Sequence, residues 1–146
     1  MLPQPDIRPI CDKVYRLVRS YKYEWVHVSE HVTVQHRLRV PSGFTYDGAS
    51  VPRCLWSLSG LSPDGLIRAS ALVHDFIYVN KGIIPYGAQY QLVDDEWMPV
   101  EGKWTRKTAD RLFKRMMLEA AIDPTQIWWA YFAVRKFGWL LWRKRR

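Results

Sequence analysis

Residues 69–82 read ASALVHDFIYVNKG, and the placing of this stretch decides how the rest of the chain is read. Apolar, helix-favouring residues run from Ala69 to Val79, longer than an ordinary buried strand. Upstream, Ser62-Pro63-Asp64 offers a start, with serine as N-cap, proline in the first turn and an early acid. Gly82 offers the stop. The spacing predicts a helix from Ser62-Pro63 to about Val79. Within its most hydrophobic part stand His74 and Asp75, side by side. Two titratable groups cost stability there unless they are hydrogen-bonded or paired. They are either satisfied structural groups or the working part of the protein.

Tyr78 follows His74 by four residues and Asp75 by three, so a helix brings its ring beside either group. Adjacent helix positions differ by about 100°, which suits a division of labour between His74 and Asp75. The imidazole takes a proton from water, and the carboxylate binds a metal or orients its neighbour. Asp110 interrupts a second apolar stripe, formed by Ala109, Phe113, Met116 and Ala120; antiparallel packing of the two helices would bring it to the His74 ring. Asp47 lies in the loop GFTYDGASVPRCLW. There, with backbone carbonyls around Gly48, it suits a hard cation such as calcium. Plainer roles stand beside each of these: a core histidine bonded to a carbonyl, an Asp110 ion pair with Arg106 or Lys114, and an Asp47-Gly48 turn. His27, His31 and His36 do not all share one strand face and have no cysteine company, so they read as exposed sheet residues rather than zinc ligands.

The rest of the chain fits around this helix as one α+β domain. Its 146 residues suffice for a single core. Residues 1–12 form an N-terminal arm. Over 13–40, KVYRLVRS, YKYEWVHV and HVTVQHRLRV alternate apolar and polar residues, which predicts a small antiparallel β-meander turning at Ser29-Glu30. A loop covers 41–62, and a two-helix core covers 63–121 with an insertion at 83–104 that turns as a hairpin at Asp94-Asp95. Thr105 caps the second helix. Asp123-Pro124 opens a third, over 124–146, which is aromatic and basic.

The formal charge of +8 is unevenly placed. From Lys103 onward there are 12 Lys/Arg against 3 Asp/Glu, and before it 10 against 11. The excess in the last third implies an anionic partner: lipid headgroups, nucleic acid, cell-wall polymer or an acidic protein. Arg143, Lys144, Arg145 and Arg146 are assigned to that contact, with Trp142. No nucleic-acid motif accompanies the charge. Of the third helix's aromatics, Trp128, Phe132 and Trp139 are expected to fill the core. No secretory leader is expected, and the longest apolar stretch is broken by Arg135 and Lys136, so no transmembrane segment is expected either. Cys11 and Cys54 form no disulfide framework, which suits synthesis in a reducing cytoplasm.

Four blocks then carry a resemblance. Tyr46-Asp47-Gly48-Ala49-Ser50-Val51-Pro52-Arg53 followed by Trp56 is similar to a TDxASVPRxxW signature, with Tyr46 in the place of threonine. HDFIY matches HDxxY, RKTADRLF matches RxxADxxF, and AVRKFG matches AVRxFG. Together, over roughly residues 41 to 139, they resemble the phage and prophage family known as domain of unknown function 1353. That resemblance implies a bacteriophage or prophage origin, synthesis in a bacterial host, and a place in the virion or at the cell envelope. HDxxY followed by a later AD also resembles the core of phospholipase A-two enzymes. By that likeness His74 would activate water, Asp75 would bind calcium and Asp110 would orient His74. This chain lacks the usual glycine-rich calcium loop, and Val73 and Ile77 stand where secreted members carry cysteines.

The expectation is therefore a phage-encoded, metal-dependent hydrolase of phospholipid or peptidoglycan. His74, Asp110 and Tyr78 form its catalytic group, and Asp75, Asp47 and Gly48 hold a divalent cation, calcium favoured over zinc. No organic cofactor is expected. The alternative is a non-enzymatic tail, baseplate or assembly protein that contacts other phage structural proteins.

Overall fold

The computed structural model describes residues 2–12, 14–47 and 65–144. Its strands are β1 (Ile7–Cys11), β2 (Val14–Leu17), β3 (Tyr21–Val28), β4 (Thr33–Val40), β5 (Thr45–Tyr46), β6 (Ile83–Ile84), β7 (Gln89–Val93), β8 (Glu96–Pro99) and β9 (Gly102–Lys103). Its helices are α1 (Arg68–Val79), α2 (Arg106–Glu119) and α3 (Pro124–Lys144). The arrangement is α+β, with antiparallel sheets and three helices, as the patterning predicts.

The β3–β4 hairpin follows the sequence alternation closely. Tyr21 pairs with Val40 and Tyr23 with Leu38, and all four side chains are buried, while Lys22 and Arg39 between them are exposed. A strand's period of two gives this division of faces. The turn closes at Ser29, whose amide donates to the Val32 carbonyl.

The remaining strands do not form one meander. β2 leaves it and pairs with β1 and β5 in a separate three-stranded sheet, so the N-terminal arm is itself a strand. The insertion supplies the missing partners: β7 and β8 turn at Asp94-Asp95, both at positive φ, and β7 docks on β4 to give the order β3-β4-β7-β8. Positive φ at both turn positions is the geometry that matches the twist of a two-residue hairpin. Docking also covers an edge of β4 that would otherwise present unpaired amides.

Helix α1 is central. Every residue from Ala69 to Tyr78 is buried, as expected of a helix apolar on all faces. Helices α2 and α3 and strand β5 pack on it. Its regular turns begin at Arg68, and Ile67 offers no side-chain cap; the expected Ser62-Pro63-Asp64 start lies outside the described residues. The other end is built as anticipated. The Lys81 amide donates to the Tyr78 carbonyl and the Gly82 amide to the Ile77 carbonyl, a Schellman closure. At Gly82 (φ 76) any Cβ would run into the Trp104 carbonyl oxygen, so β9 and the start of α2 sit hard against the end of α1. Thr105 caps α2 through a reciprocal box with Thr108, two bonds that satisfy otherwise orphaned first-turn donors.

Candidate functional site

Three helices meet at one carboxylate. From α1, His74 and Tyr78 project from the same face at a spacing of four. From α2 comes Asp110, and from α3 comes Arg135. His74 Nε2 lies 2.8 Å from Asp110 Oδ1, and the Tyr78 hydroxyl donates to the same oxygen at 2.5 Å. Arg135 Nη1 donates to Oδ2 at 2.7 Å. Arg106 Nη1, 3.6 Å from Oδ2, donates to the Val134 and Arg135 carbonyls. The side chains of His74 and Asp110 are both fully buried; the Arg106 pairing that four-residue spacing offers Asp110 is made, but to a buried carboxylate rather than a surface one.

This network sets the state of its carboxyl and its phenol. Burial alone would raise the Asp110 pKa, but the hydrogen bond and the charge interaction with His74, followed by the hydrogen bonds from Tyr78 and Arg135, outweigh it and hold the carboxyl below its usual value. Burial, then the Asp110 charge, pushes the Tyr78 phenol far upward, so Tyr78 remains a donor. An ionised Asp110 only accepts. In the neutral imidazole the hydrogen is therefore assigned to Nε2, which leaves the lone pair on Nδ1. That Nδ1 is buried and has no hydrogen-bond partner among the described residues. Ser70 Oγ, four residues earlier on the same helix face, is buried and also has no partner among the described residues. The ring packs between Tyr78 and Phe113, with centroids at 4.1 and 4.7 Å.

His74, Tyr78 and Asp110 thus come together as the sequence suggests. Asp75 is fully buried and Asp47 half-buried; Gly48 lies outside the described residues. Among the described residues no three His, Cys, Asp or Glu side chains gather to hold an ion. Ser70, Arg135 and Gly138 are additions, whereas Arg106 is the ion-pair partner that its four-residue spacing offers Asp110. Ser70 was legible as the residue one turn before His74, whereas Arg135 and Gly138 sit in the AVRKFG block with no pattern to tie them to Asp110. A Cβ on Gly138 would lie 2.6 Å from the Tyr78 hydroxyl, so the absence of a side chain there is what lets the phenol reach Asp110.

Two other expectations change. His36 is half-buried, not exposed. It pairs with Trp25 across β3–β4, rings 5.2 Å apart, and shares that face with His27 at 6.4 Å; desolvation, then His27, lowers its pKa. The aromatics of α3 are reversed. Trp128, Phe132 and Trp139 face outward, 56%, 38% and 45% exposed, because Ile127, Ala130, Ala133 and Val134 occupy the buried side. Trp142, assigned to a partner, is half-buried and meets Tyr78 edge to face at 5.0 Å. Arg143 is exposed; Arg145, Arg146 and the Lys144 side chain lie outside the description.

Gly138→Ala is expected to destabilise by roughly 1–2 kcal/mol, overpacking outweighing the gain in helix propensity. In a Tyr78→Phe background, where the colliding oxygen is gone, the same change becomes neutral or stabilising. Urea unfolding of the four proteins measures that coupling.

Asp110 also makes a pH prediction. Its folded-state pKa is depressed, so its contribution is full above the unfolded carboxyl pKa of about 3.9 and disappears as pH falls through the lower folded value. Wild-type unfolding free energy should decline below about pH 4, and Asp110→Asn should flatten that decline. At neutral pH Asp110→Ala should cost towards the lower end of roughly 3–5 kcal/mol, because the two arginines stay partly solvated.

No curated protein and no solved structure matches the chain. The chain belongs to the family described as Protein of unknown function (DUF1353), whose model matches residues 17–134, a span that holds His74, Tyr78 and Asp110 and ends one residue before Arg135.

Proposed function

We propose that the chain is a phage-encoded hydrolase of a host-envelope substrate, phospholipid or peptidoglycan, with His74 as the general base. One observation supports this reading above the others: Asp110, itself held by the Tyr78 hydroxyl, pins the imidazole through Nε2, while Nδ1 has no partner among the described residues and Ser70 Oγ lies one turn away. A water held between Ser70 Oγ and Nδ1 gives up a proton to Nδ1 as its oxygen attacks the substrate's carbonyl carbon. Nδ1 then returns that proton to the leaving group as its bond to carbon breaks, so the imidazole ends neutral. Asp110 stabilises the transient imidazolium, and Arg135 and Tyr78 keep Asp110 ionised and fixed. Positioned acid–base groups of this kind contribute roughly 10²–10⁴-fold. Asp75 and Asp47 are oxygen donors, the hard ligands that suit calcium rather than zinc. With carbonyls near residue 48 they would hold the cation, which would supply positive charge for a developing oxyanion.

A second reading, a non-enzymatic tail, baseplate or assembly protein, is favoured by the complete burial of His74 and Asp110 and by the three hydrogen bonds already made to the carboxylate. In that reading the network only locks three helices together.

Product release from phospholipid vesicles and from purified peptidoglycan, followed by mass spectrometry with calcium or with chelator, separates the two. The hydrolytic reading expects turnover of one substrate, a fall of at least about 100-fold in His74→Gln, and a clear fall in Ser70→Ala. Ser70→Ala removes a buried hydroxyl that has no partner among the described residues and should leave stability unchanged or improved, so its loss of activity cannot be put down to unfolding. Undiminished hydrolysis in folded His74→Gln dismisses the base. Absence of turnover by wild type on both substrates favours the structural reading.

A further inference from the structure

We infer that α3 lies in the plane of an anionic lipid bilayer and is the surface by which this protein docks on a membrane. The helix holds Ile127, Ala130, Ala133 and Val134 against the core. Its opposite side exposes Trp128, Trp129, Phe132, Trp139 and Leu140. At 100° per residue these five fall within an arc of roughly 120°, and Lys136 and Arg143, both exposed, fall inside the same arc. Trp128 stacks on Phe132 with ring centroids 5.5 Å apart, and Trp129 meets Trp128 edge to face at 4.8 Å. The Arg143 guanidinium lies 6.0 Å from the Trp139 ring centroid. The result is an exposed aromatic cluster at Trp128, Trp129 and Phe132, with Trp139 and Leu140 two turns further along the same side and cations set among them, a kind of exposed patch that soluble proteins rarely leave without a partner.

The chemistry of the patch selects the occupant. No Asp or Glu occurs from Pro124 to Lys144, so the face offers only positive charge to whatever covers it. An anionic bilayer supplies the complement along the whole helix: headgroup phosphates for Lys136 and Arg143, and the boundary with the acyl chains for indole rings, which concentrate at that depth. Among the described residues no helix is long and apolar enough to cross a membrane, which restricts α3 to lying along the surface. The helix that carries this patch also delivers Arg135 to Asp110, so docking would bring the buried cluster close to the lipid. The docking surface does not rest on the hydrolytic reading, since it uses none of the residues assigned to proton transfer.

Flotation of the full-length chain with vesicles tests it, using phosphatidylcholine alone and phosphatidylcholine mixed with phosphatidylglycerol. Wild type should float with the mixed vesicles and bind the neutral ones about tenfold or more weakly, with binding falling as salt is raised. The triple variant Trp128→Ser, Phe132→Ser, Trp139→Ser alters only exposed positions and should keep the wild-type melting temperature, yet lose binding by about tenfold or more. His74→Gln should float like wild type, which separates this outcome from the fate of the hydrolytic proposal. Wild type that stays with the soluble fraction in both mixtures overturns the inference, as does a triple variant that floats undiminished. A lipid-free, concentration-dependent dimer abolished by the triple variant, with no flotation of wild type, overturns it in favour of a second copy of the chain.

Discussion

One carboxylate organises this molecule. Asp110 is buried where α1, α2 and α3 meet, and it accepts from His74 and Tyr78 on one oxygen and from Arg135 on the other. A charge in that position is tolerable only because each helix delivers a donor to it. Remove the phenol, the imidazole or the guanidinium, and a desolvated carboxylate is left partly unpaired, a far larger cost than a lost surface contact. The requirement reaches into backbone composition. Gly138 lacks a side chain where the Tyr78 hydroxyl needs room, and Gly82 lets the end of α1 close against Trp104 so that α2 starts in the right place. The four-residue spacing of His74 and Tyr78 matters because Asp110 reads both from a single oxygen.

Short-range chemistry made much of this legible in the sequence. The alternation through YKYEWVHV and HVTVQHRLRV names the buried face of β3 and β4 because side-chain period and burial are the same fact in a strand. Thr105 and Gly82 mark helix ends because capping is local. His74 and Asp110 drew attention because titratable residues inside apolar helical stretches must find partners, and each proved to be the other's. What the sequence hid was long-range or depended on competition. Nothing in residues 83–104 says that β7 will dock on β4, nor that β2 will leave the meander for β5. Nothing in AVRKFG ties Arg135 to a carboxylate 25 residues earlier.

The reversal on α3 has the same origin. Trp128, Phe132 and Trp139 are apolar enough for a core, but small residues at Ala130 and Ala133 let α3 approach its neighbours closely, with Ile127 and Val134 filling the contact. The large rings are left on the outer side. Hydrophobicity alone could not choose between the two faces of a helix that is apolar on both. Trp142 escapes this rule by standing beside Tyr78, where the cluster's outer edge needs a cover. The basic excess of the last third then takes on meaning: Arg106 and Arg135 serve Asp110, while Lys136 and Arg143 remain with the exposed aromatics.

The site's chemistry turns on which nitrogen of His74 carries the hydrogen. A ring held through Nε2 by an ionised carboxylate presents Nδ1 as a base; a ring with the opposite tautomer would present none. Long-range proton–nitrogen correlation NMR on the folded protein, at a pH where the imidazole is neutral, observes this directly. The His74 ring should appear with its hydrogen on Nε2 and an unprotonated Nδ1, and Asp110→Asn should disturb that pattern. A His74 ring protonated at Nδ1 and bare at Nε2 would contradict the account at its centre.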